Sequence, residues 1–285
     1  MSIEHLNRFV ELETSAGICT PNWIKTSKAT LSDAPDVQEE IWRKKTSGLL
    51  RNFFINLNTN LEVKSFVEIG AHEASISIDL KKLEIKNVYA FEANPFVYKK
   101  YVSRLRELNI SYENKAISEI NGTVKISIPR FSQDLARPDS SLLKRSAEAD
   151  YEEIEVESKT LESVIIENRL QDISLWIDTE GLTLNVLQSA GKEIGKVNLI
   201  LAEVEDINYW KNQRSAVDVF KYCYENNFVA IARDMDGRGQ YNVIFVRDCE
   251  ISKVGGLISD YFKNLSELKS VLETTRVKMN RISLK

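Results

Sequence analysis

The segment F-V-E-I-G-A-H-E-A-S, from Phe66 to Ser75, joins a short apolar run to an acid, a glycine and a histidine. The apolar run is typical of a buried strand, and Gly70 follows it as the start of a turn. A second run, Val88 to Phe91, continues as E-A-N-P, which places the Glu92 carboxylate directly after that strand. A strand, a glycine turn and an acid after the next strand are typical of α/β nucleoside sites. The two segments therefore predict a parallel sheet with a ligand site at its carboxyl edge.

The rest of the chain repeats this alternation of short apolar runs and amphipathic segments. Further strands are predicted at 111–117, 175–177 and 199–204, which favours an α/β fold with a parallel sheet wrapped by helices. The runs 228–232 and 241–246 are joined by a polar loop too short for a crossover helix, so they predict an antiparallel hairpin at one end of the sheet. Helices are predicted at 74–83, 95–108, 182–190 and 216–226.

The chain divides by pattern into three parts. Residues 1–60 have helical periodicity and are interpreted as an N-terminal helical cap, 61–250 as the main α/β domain, and 251–285 as a C-terminal helix with a basic tail. Between 129 and 155 the periodicity fails and prolines and mixed charges occur, which predicts a long functional loop.

Composition excludes several classes of protein. Of 285 residues, 38 are Lys or Arg and 42 are Asp or Glu, a formal charge of 38 − 42 = −4, and 43% are hydrophobic, so we expect a globular chain. No apolar stretch approaches the roughly 18 residues of a membrane span. Three widely spaced cysteines indicate no disulfide framework and favour a reducing, cytoplasmic location. Only two histidines, His5 and His72, occur, which excludes a three-histidine zinc centre and disfavours Ser-His-Asp hydrolases.

The glycine turn narrows the choice of ligand. A dinucleotide fingerprint would need glycine where His72 and Ser75 stand, so a nicotinamide or flavin enzyme is disfavoured. No P-loop motif occurs either. An adenosine-containing ligand without a diphosphate remains, and S-adenosylmethionine is the leading candidate. The acidic chain lacks a basic stripe and an N-P-P-Y segment, so nucleic acid is not expected as a substrate.

Acids follow two of the later strands. Asp178 and Glu180 lie two apart in I-D-T-E-G, so in an extended segment they project to the same face, and the proximity raises one pKa. Such a carboxylate can act as general base, although Asp178 could equally serve only the turn. Glu203 and Glu205 could hold substrate hydroxyls or, less favoured, join a divalent cation site, or they could be merely solvated. His72 is either a base or a packed, hydrogen-bonded residue.

These motifs occur in an order that resembles one known family, the FkbM-type class I methyltransferases, over residues 50–247. The pair I-D-T-E-G and V-L-Q-S-A is the most specific part of the resemblance. The motifs are V-E-I-G-A (67–71), F-E-A-N-P (91–95), K-A-I-S (115–118) with N-G-T-V (121–124), I-D-T-E-G (177–181) with V-L-Q-S-A (186–190), L-A-E-V-E (201–205) and Y-N-V-I-F-V (241–246).

The resemblance implies a Rossmann-like, seven-stranded, mostly parallel sheet, S-adenosylmethionine as methyl donor, and O-methylation of a small molecule or glycan. It implies that Glu92 binds the ribose and that Asp178 and Glu180 face the reacting centre. The positions carried over as cofactor contacts are Glu68, Gly70, Ala71, His72, Glu92, Ala93, Asn94, Ala116 and Ile117.

Two positions depart from the family pattern. The family usually has asparagine where His72 stands and glycine where Ala74 stands, and both lie in the cofactor turn. These departures keep a second hypothesis open, in which a methyltransferase fold binds a nucleoside or a partner without turnover.

Overall fold

A computed structural model describes residues 37–130, 135–136, 140–145, 150–234 and 239–283, and side chains within these ranges from 43 to 268. The strands are β1 (Ser65–Ile69), β2 (Asn87–Phe91), β3 (Ser111–Glu113), β4 (Ala116–Ile117), β5 (Gly122–Pro129), β6 (Tyr151–Lys159), β7 (Ile173–Ile177), β8 (Val197–Glu205), β9 (Phe228–Arg233) and β10 (Gln240–Arg247). The α-helices are α1 (Val37–Asn60), α2 (Ser75–Lys82), α3 (Pro95–Glu107), α4 (Leu161–Glu167), α5 (Thr183–Gln188), α6 (Ala216–Glu225) and α7 (Ile251–Ser283).

Seven strands form the main sheet, in the order β3-β2-β1-β7-β8-β10-β9. The pairs within β3-β2-β1-β7-β8 are parallel, whereas β10 runs antiparallel to both β8 and β9. The strand order reverses direction between β1 and β7, which is the switch point where ligands bind in open α/β sheets. The predicted fold class, including the terminal antiparallel hairpin, is confirmed.

Two hydrophobic cores cover the two faces of this sheet. Helices α1, α2 and α7 contribute to one core, and α4, α5 and α6 to the other. The ring of Phe53 in α1 stacks on Tyr261 in α7 with 4.6 Å between centroids, and Phe54 meets Trp176 of β7 edge to face. The first and last described helices therefore pack against each other and against the sheet. No helix within the described ranges is both long and apolar enough to span a bilayer.

A second, three-stranded sheet was not predicted. Its order is β4-β6-β5, with β5 and β6 antiparallel over eight residue pairs. The predicted strand 111–117 is in fact divided, because β3 belongs to the main sheet and β4 to the second. At this break the Asn114 side-chain amide donates to the carbonyl oxygens of Glu92 and Ala93, and these bonds stabilise the chain where it leaves the main sheet.

The predicted long loop at 129–155 is also shorter than expected. β5 ends at Pro129 and β6 begins at Tyr151, and between them Ser141 pairs with Ser127 of β5 and Arg145 pairs with Trp210, which follows β8. Of the predicted N-terminal cap, residues 1–36 lie outside the described ranges, as do the side chains of the predicted basic tail from 269 onward. The division into three parts stays a prediction.

Candidate functional site

A cavity of about 260 Å³ opens at the carboxyl ends of β1, β2 and β7, and the small sheet closes one side of it. Nine of the residues predicted to serve the site line this pocket. They are Gly70, His72, Glu92, Ala93, Ala116, Ile117, Asp178, Glu180 and Glu203. Nine further lining residues were not predicted from the sequence: Ile69, Phe91, Lys115, Ile126, Ser140, Ser141, Leu142, Thr179 and Leu182.

The turn after β1 is built on left-handed backbone conformations. Gly70 has φ +76, and a Cβ added there would lie 1.9 Å from the carbonyl oxygen of Asp178. His72 and Ala74 also have positive φ, at 45 and 53. Glycine adopts this region more readily than alanine does, whereas histidine, like asparagine, is enriched there among non-glycine residues. Glycine is thus the residue that the backbone prefers at position 74, and the present chain keeps the same turn with the less suited Ala74.

The Glu92 carboxylate, which follows β2, is hydrogen-bonded to the turn after β1. Its Oε2 accepts a hydrogen bond from the His72 amide at 2.8 Å, and Oε1 accepts from the Asn94 amide at 2.7 Å. Glu92 is 7% exposed, and burial raises its pKa to about 7. Two backbone amides therefore fix the direction of an acid that lines the pocket and retains lone pairs for a ligand.

Asp178 and Glu203 form a pair of interacting carboxyl groups at the ends of β7 and β8. The carboxyl groups of Asp178 and Glu203 lie within hydrogen-bonding reach of each other, and Glu203 Oε1 accepts from the Gln240 side-chain amide at 2.8 Å. The Asp178 side chain is open to the pocket, and the protein around it limits hydration and raises its pKa to about 6. Burial, reinforced by the charge of Asp178, raises the pKa of Glu203 well above its ordinary value.

Glu180 lies on the loop that follows β7, beside residues 140–145. Ser141, buried at 4% exposure, donates from Oγ to the Glu180 carbonyl oxygen at 2.7 Å. The Ser141 backbone also exchanges two hydrogen bonds with Ser127 of β5. This serine therefore joins the small sheet to the loop that bears Asp178 and Glu180.

Four predicted site residues lie outside the pocket lining, and each has a structural contact. Glu68 accepts from the Ser77 amide at 2.9 Å and from its hydroxyl, which orders the start of α2, and burial raises its pKa to about 7. Asn94 accepts from the Phe96 amide and caps α3. Ala71 is buried, with its amide bonded to the Phe91 carbonyl. Glu205 accepts from the Gly181 amide at 3.1 Å, and burial raises its pKa to about 7.

His72 is half-buried, and its imidazole lies 5.4 Å from the Tyr101 ring. Burial lowers the pKa of His72, which favours the neutral imidazole near pH 7. Its carbonyl accepts from the Tyr112 hydroxyl at 2.6 Å, and its amide is bound by Glu92. Within the described contacts, the backbone of His72 shapes the turn while its ring borders the pocket.

The aromatic residues after β8 do not line the pocket. Trp210 is 2% exposed and packs on the backbone of Gly181, where an added Cβ would lie 2.8 Å from the indole. The Arg145 guanidinium lies 5.0 Å from the same indole ring. Trp210 therefore packs as core beneath residues 140–145. In the part of the chain that the structure describes, no group of three or more His, Cys, Asp or Glu side chains is arranged to hold a metal ion.

The sheet order, with its antiparallel β10 and a pocket at the switch point, defines the Rossmann-like fold of class I methyltransferases. The model of the methyltransferase FkbM domain matches residues 68–230, more than half of the chain. The chain belongs to the FkbM methyltransferase family. This membership supports S-adenosylmethionine as the cofactor, as the sequence motifs imply. No curated protein matches the chain significantly.

Solved structures resemble the chain at low identity. Magnesium protoporphyrin IX methyltransferase from Synechocystis PCC 6803, with bound SAM, is 10% identical over 76% of this chain and 86% of its own, with a TM-score of 0.41. Precorrin-6y C5,15-methyltransferase from Geobacter metallireducens is 10% identical over 69% and 86%, with a TM-score of 0.37. TrmK from M. capricolum, in complex with S-adenosyl-homocysteine, is 8% identical over 68% and 67%, with a TM-score of 0.34. The similarity concerns the fold alone.

Proposed function

We propose that the protein is an S-adenosylmethionine-dependent methyltransferase that methylates a hydroxyl group on a small molecule or glycan. One observation carries the proposal: a single pocket is lined by the glycine turn after β1, by Glu92 after β2 and by Asp178 after β7. These two carboxylates lie at the ends of β2 and β7, on either side of β1, and give one group for a ribose and another for the reacting centre.

The lining residues fit the chemistry of this cofactor. Ala116, Ile117 and Ile126 give an apolar wall suited to adenine, and the open lone pairs of Glu92 suit the donor hydroxyls of a ribose. Four carboxyl groups line the pocket against one lysine, Lys115, which suits the sulfonium and ammonium cations of the cofactor. The Oγ1 of Thr179 is buried without a protein partner in the described residues, so a lining hydroxyl is available to a ligand.

When bound, S-adenosylmethionine supplies an electrophilic methyl group. Asp178 is ionised at pH 7 because its pKa is about 6, and it is open to the pocket, so it can accept the proton of an acceptor hydroxyl. Glu180 borders the same space, and Ser141 holds its carbonyl. Bringing the reactants together in the pocket supplies most of the rate enhancement.

Calorimetric titration of the full chain tests cofactor binding, with S-adenosylmethionine and S-adenosyl-homocysteine as ligands and NAD as control. We expect binding of the first two and none of NAD. Glu92→Gln should weaken binding, because one hydrogen bond to a charged group contributes about 1.5–3 kcal/mol. Glu107→Gln, a matched change on the exposed end of α3, should bind like the parent. Failure of a folded parent sample to bind either ligand would overturn the proposal and favour the non-catalytic binding module.

Transfer of a labelled methyl group tests the reaction. We expect label in hydroxylated small molecules or sugars, with a rate that falls as the pH drops below about 6, because Asp178 becomes protonated there. Asp178→Asn should reduce the rate by about 10²–10⁴-fold without abolishing cofactor binding. Label appearing only in amine acceptors would contradict the O-methylation part of the proposal.

A further inference from the structure

The contact between Asp178 and Glu203 has a direct chemical requirement. An ionised carboxylate only accepts hydrogen bonds, so two carboxyl groups bond to each other only when one of them carries a proton. Asp178 is exposed to the pocket whereas Glu203 is only partly exposed, and the less hydrated acid holds a proton more readily, which places the proton on Glu203. The Gln240 amide donates to Oε1 of Glu203 at 2.8 Å, and because a carbonyl oxygen accepts better than a hydroxyl oxygen, this bond favours the carboxyl proton on Oε2.

The three residues come from three adjacent strands. Asp178 follows β7, Glu203 lies in β8, and Gln240 begins β10. Because β8 and β10 are antiparallel with Gln240 opposite Glu205, the Gln240 side chain reaches Glu203 two residues away on the neighbouring strand. Asp178 lies at the pocket end of this chain of hydrogen bonds, and Glu203 also borders the pocket.

We propose that Gln240 and Glu203 are positioning residues for Asp178: Gln240 orients a protonated Glu203, and Glu203 donates a fixed hydrogen bond that keeps Asp178 ionised and aimed into the pocket. This inference rests on the proposed function, in which Asp178 accepts the acceptor's proton. The pair holds one proton and one negative charge before the reaction. After Asp178 takes the hydroxyl proton, both carboxyl groups are neutral until one proton returns to water.

The surroundings of Asp178 are acidic on every side. Glu68 of β1, Glu92 after β2, Glu180 on the same loop, and Glu203 and Glu205 of β8 all interact with Asp178 or with its partner Glu203. The basic groups among the described lining residues are Lys115 and His72. These acids disfavour a negative charge on Asp178, so a fixed donor is needed to keep it ionised near neutral pH. Glu203 is the acid placed to supply one.

The test is a pH titration of the full chain, free of ligand, by ¹³C NMR of labelled Asp and Glu carboxyl groups, with the Asp178 signal assigned by its loss in Asp178→Asn. Two variants, Glu203→Gln and Glu203→Leu, remove the same titrating group, but only glutamine keeps an N–H donor. We expect the pH midpoint of the Asp178 titration to lie lower in Glu203→Gln than in Glu203→Leu, by about one pH unit, which is a tenfold lower proton affinity. Equal midpoints would overturn the proposal.

Gln240→Leu tests the orienting step. Loss of the amide donor frees Glu203 to rotate, so we expect the Asp178 midpoint to rise relative to the parent. Gln188→Leu, the same change at an exposed position at the end of α5, should leave the titration unchanged. An unshifted midpoint in Gln240→Leu would refute its positioning role. These titrations need no cofactor, so they decide the inference even if calorimetry shows no S-adenosylmethionine binding and the proposed function fails.

Discussion

Replacing Gly70 by alanine tests whether the glycine turn and the Asp178 loop are built against each other. The added methyl would lie 1.9 Å from the Asp178 carbonyl oxygen and 2.8 Å from its carbonyl carbon. Left-handed φ costs a non-glycine residue about 1–2 kcal/mol. Forcing an extra methyl into packed structure costs about 1–3 kcal/mol. We therefore expect Gly70→Ala to lower the free energy of unfolding by about 2–5 kcal/mol, the sum of the two terms.

The assay is urea unfolding followed by circular dichroism, combined with cofactor calorimetry under conditions where the variant stays folded. The clash is with backbone that carries Asp178, so binding should weaken even in the folded fraction. Gly48→Ala is the matched control, because Gly48 lies in α1 with nothing within 4 Å of an added Cβ. Alanine is favoured over glycine within a helix by about 0.5–1 kcal/mol, so this control should be slightly more stable than the parent. A Gly70→Ala protein with the stability and affinity of the parent would refute the reasoning.

Three further predictions concern stability. Glu92 is buried with its pKa raised from 4.5 to about 7, so the folded state holds its proton more tightly, and the unfolding free energy falls as the pH rises from about 4.5 to about 7. Urea unfolding measured across this pH range should give an unfolding free energy that depends less steeply on pH for Glu92→Gln than for the parent. An equal pH dependence would contradict the assignment. Trp210→Ala should lower the unfolding free energy by about 3–5 kcal/mol, because a buried indole leaves a cavity over Gly181; a loss under 1 kcal/mol would mean that Trp210 is not packed as described. Ser141→Ala removes the hydrogen bond to the Glu180 carbonyl and should lower the free energy of unfolding, measured with urea, by about 1 kcal/mol. An unchanged free energy of unfolding would show that this bond does not hold residues 140–145 in place.

Much of the main sheet was predictable because its strands are buried on both faces. The runs that became β1, β2, β7 and β8 are almost uninterrupted apolar sequence, and the short polar loop predicted the β9–β10 hairpin. The small sheet escaped prediction because β6 reads Y-E-E-I-E-V-E-S-K, where glutamates alternate with isoleucine and valine. The alternation was present as a strand signal, but the high charge of the segment obscured it.

The pocket acids were predictable as a set, whereas their partners were not. Position after a strand sufficed to select Glu92, Asp178 and Glu203, and all three line the pocket. The contact between Asp178 and Glu203 depends on the register between β7 and β8, and the contact between Glu203 and Gln240 on the register between β8 and β10, and register is set by the whole sheet. For that reason the sequence did not identify Gln240 as a partner of Glu203. In the sequence it is simply one polar residue at the start of a hairpin strand.

The packing of α1 against α7 has a consequence for how the protein is made. Phe53 emerges from the ribosome early, while its stacking partner Tyr261 is synthesised only after every strand of the sheet. Contacts between such distant residues form late and carry a large loop-closure cost. The apolar side chains of α1 that α7 covers, including Phe53, therefore stay partly exposed until the C-terminal helix has been synthesised, which makes this surface prone to non-native contacts in the nascent chain.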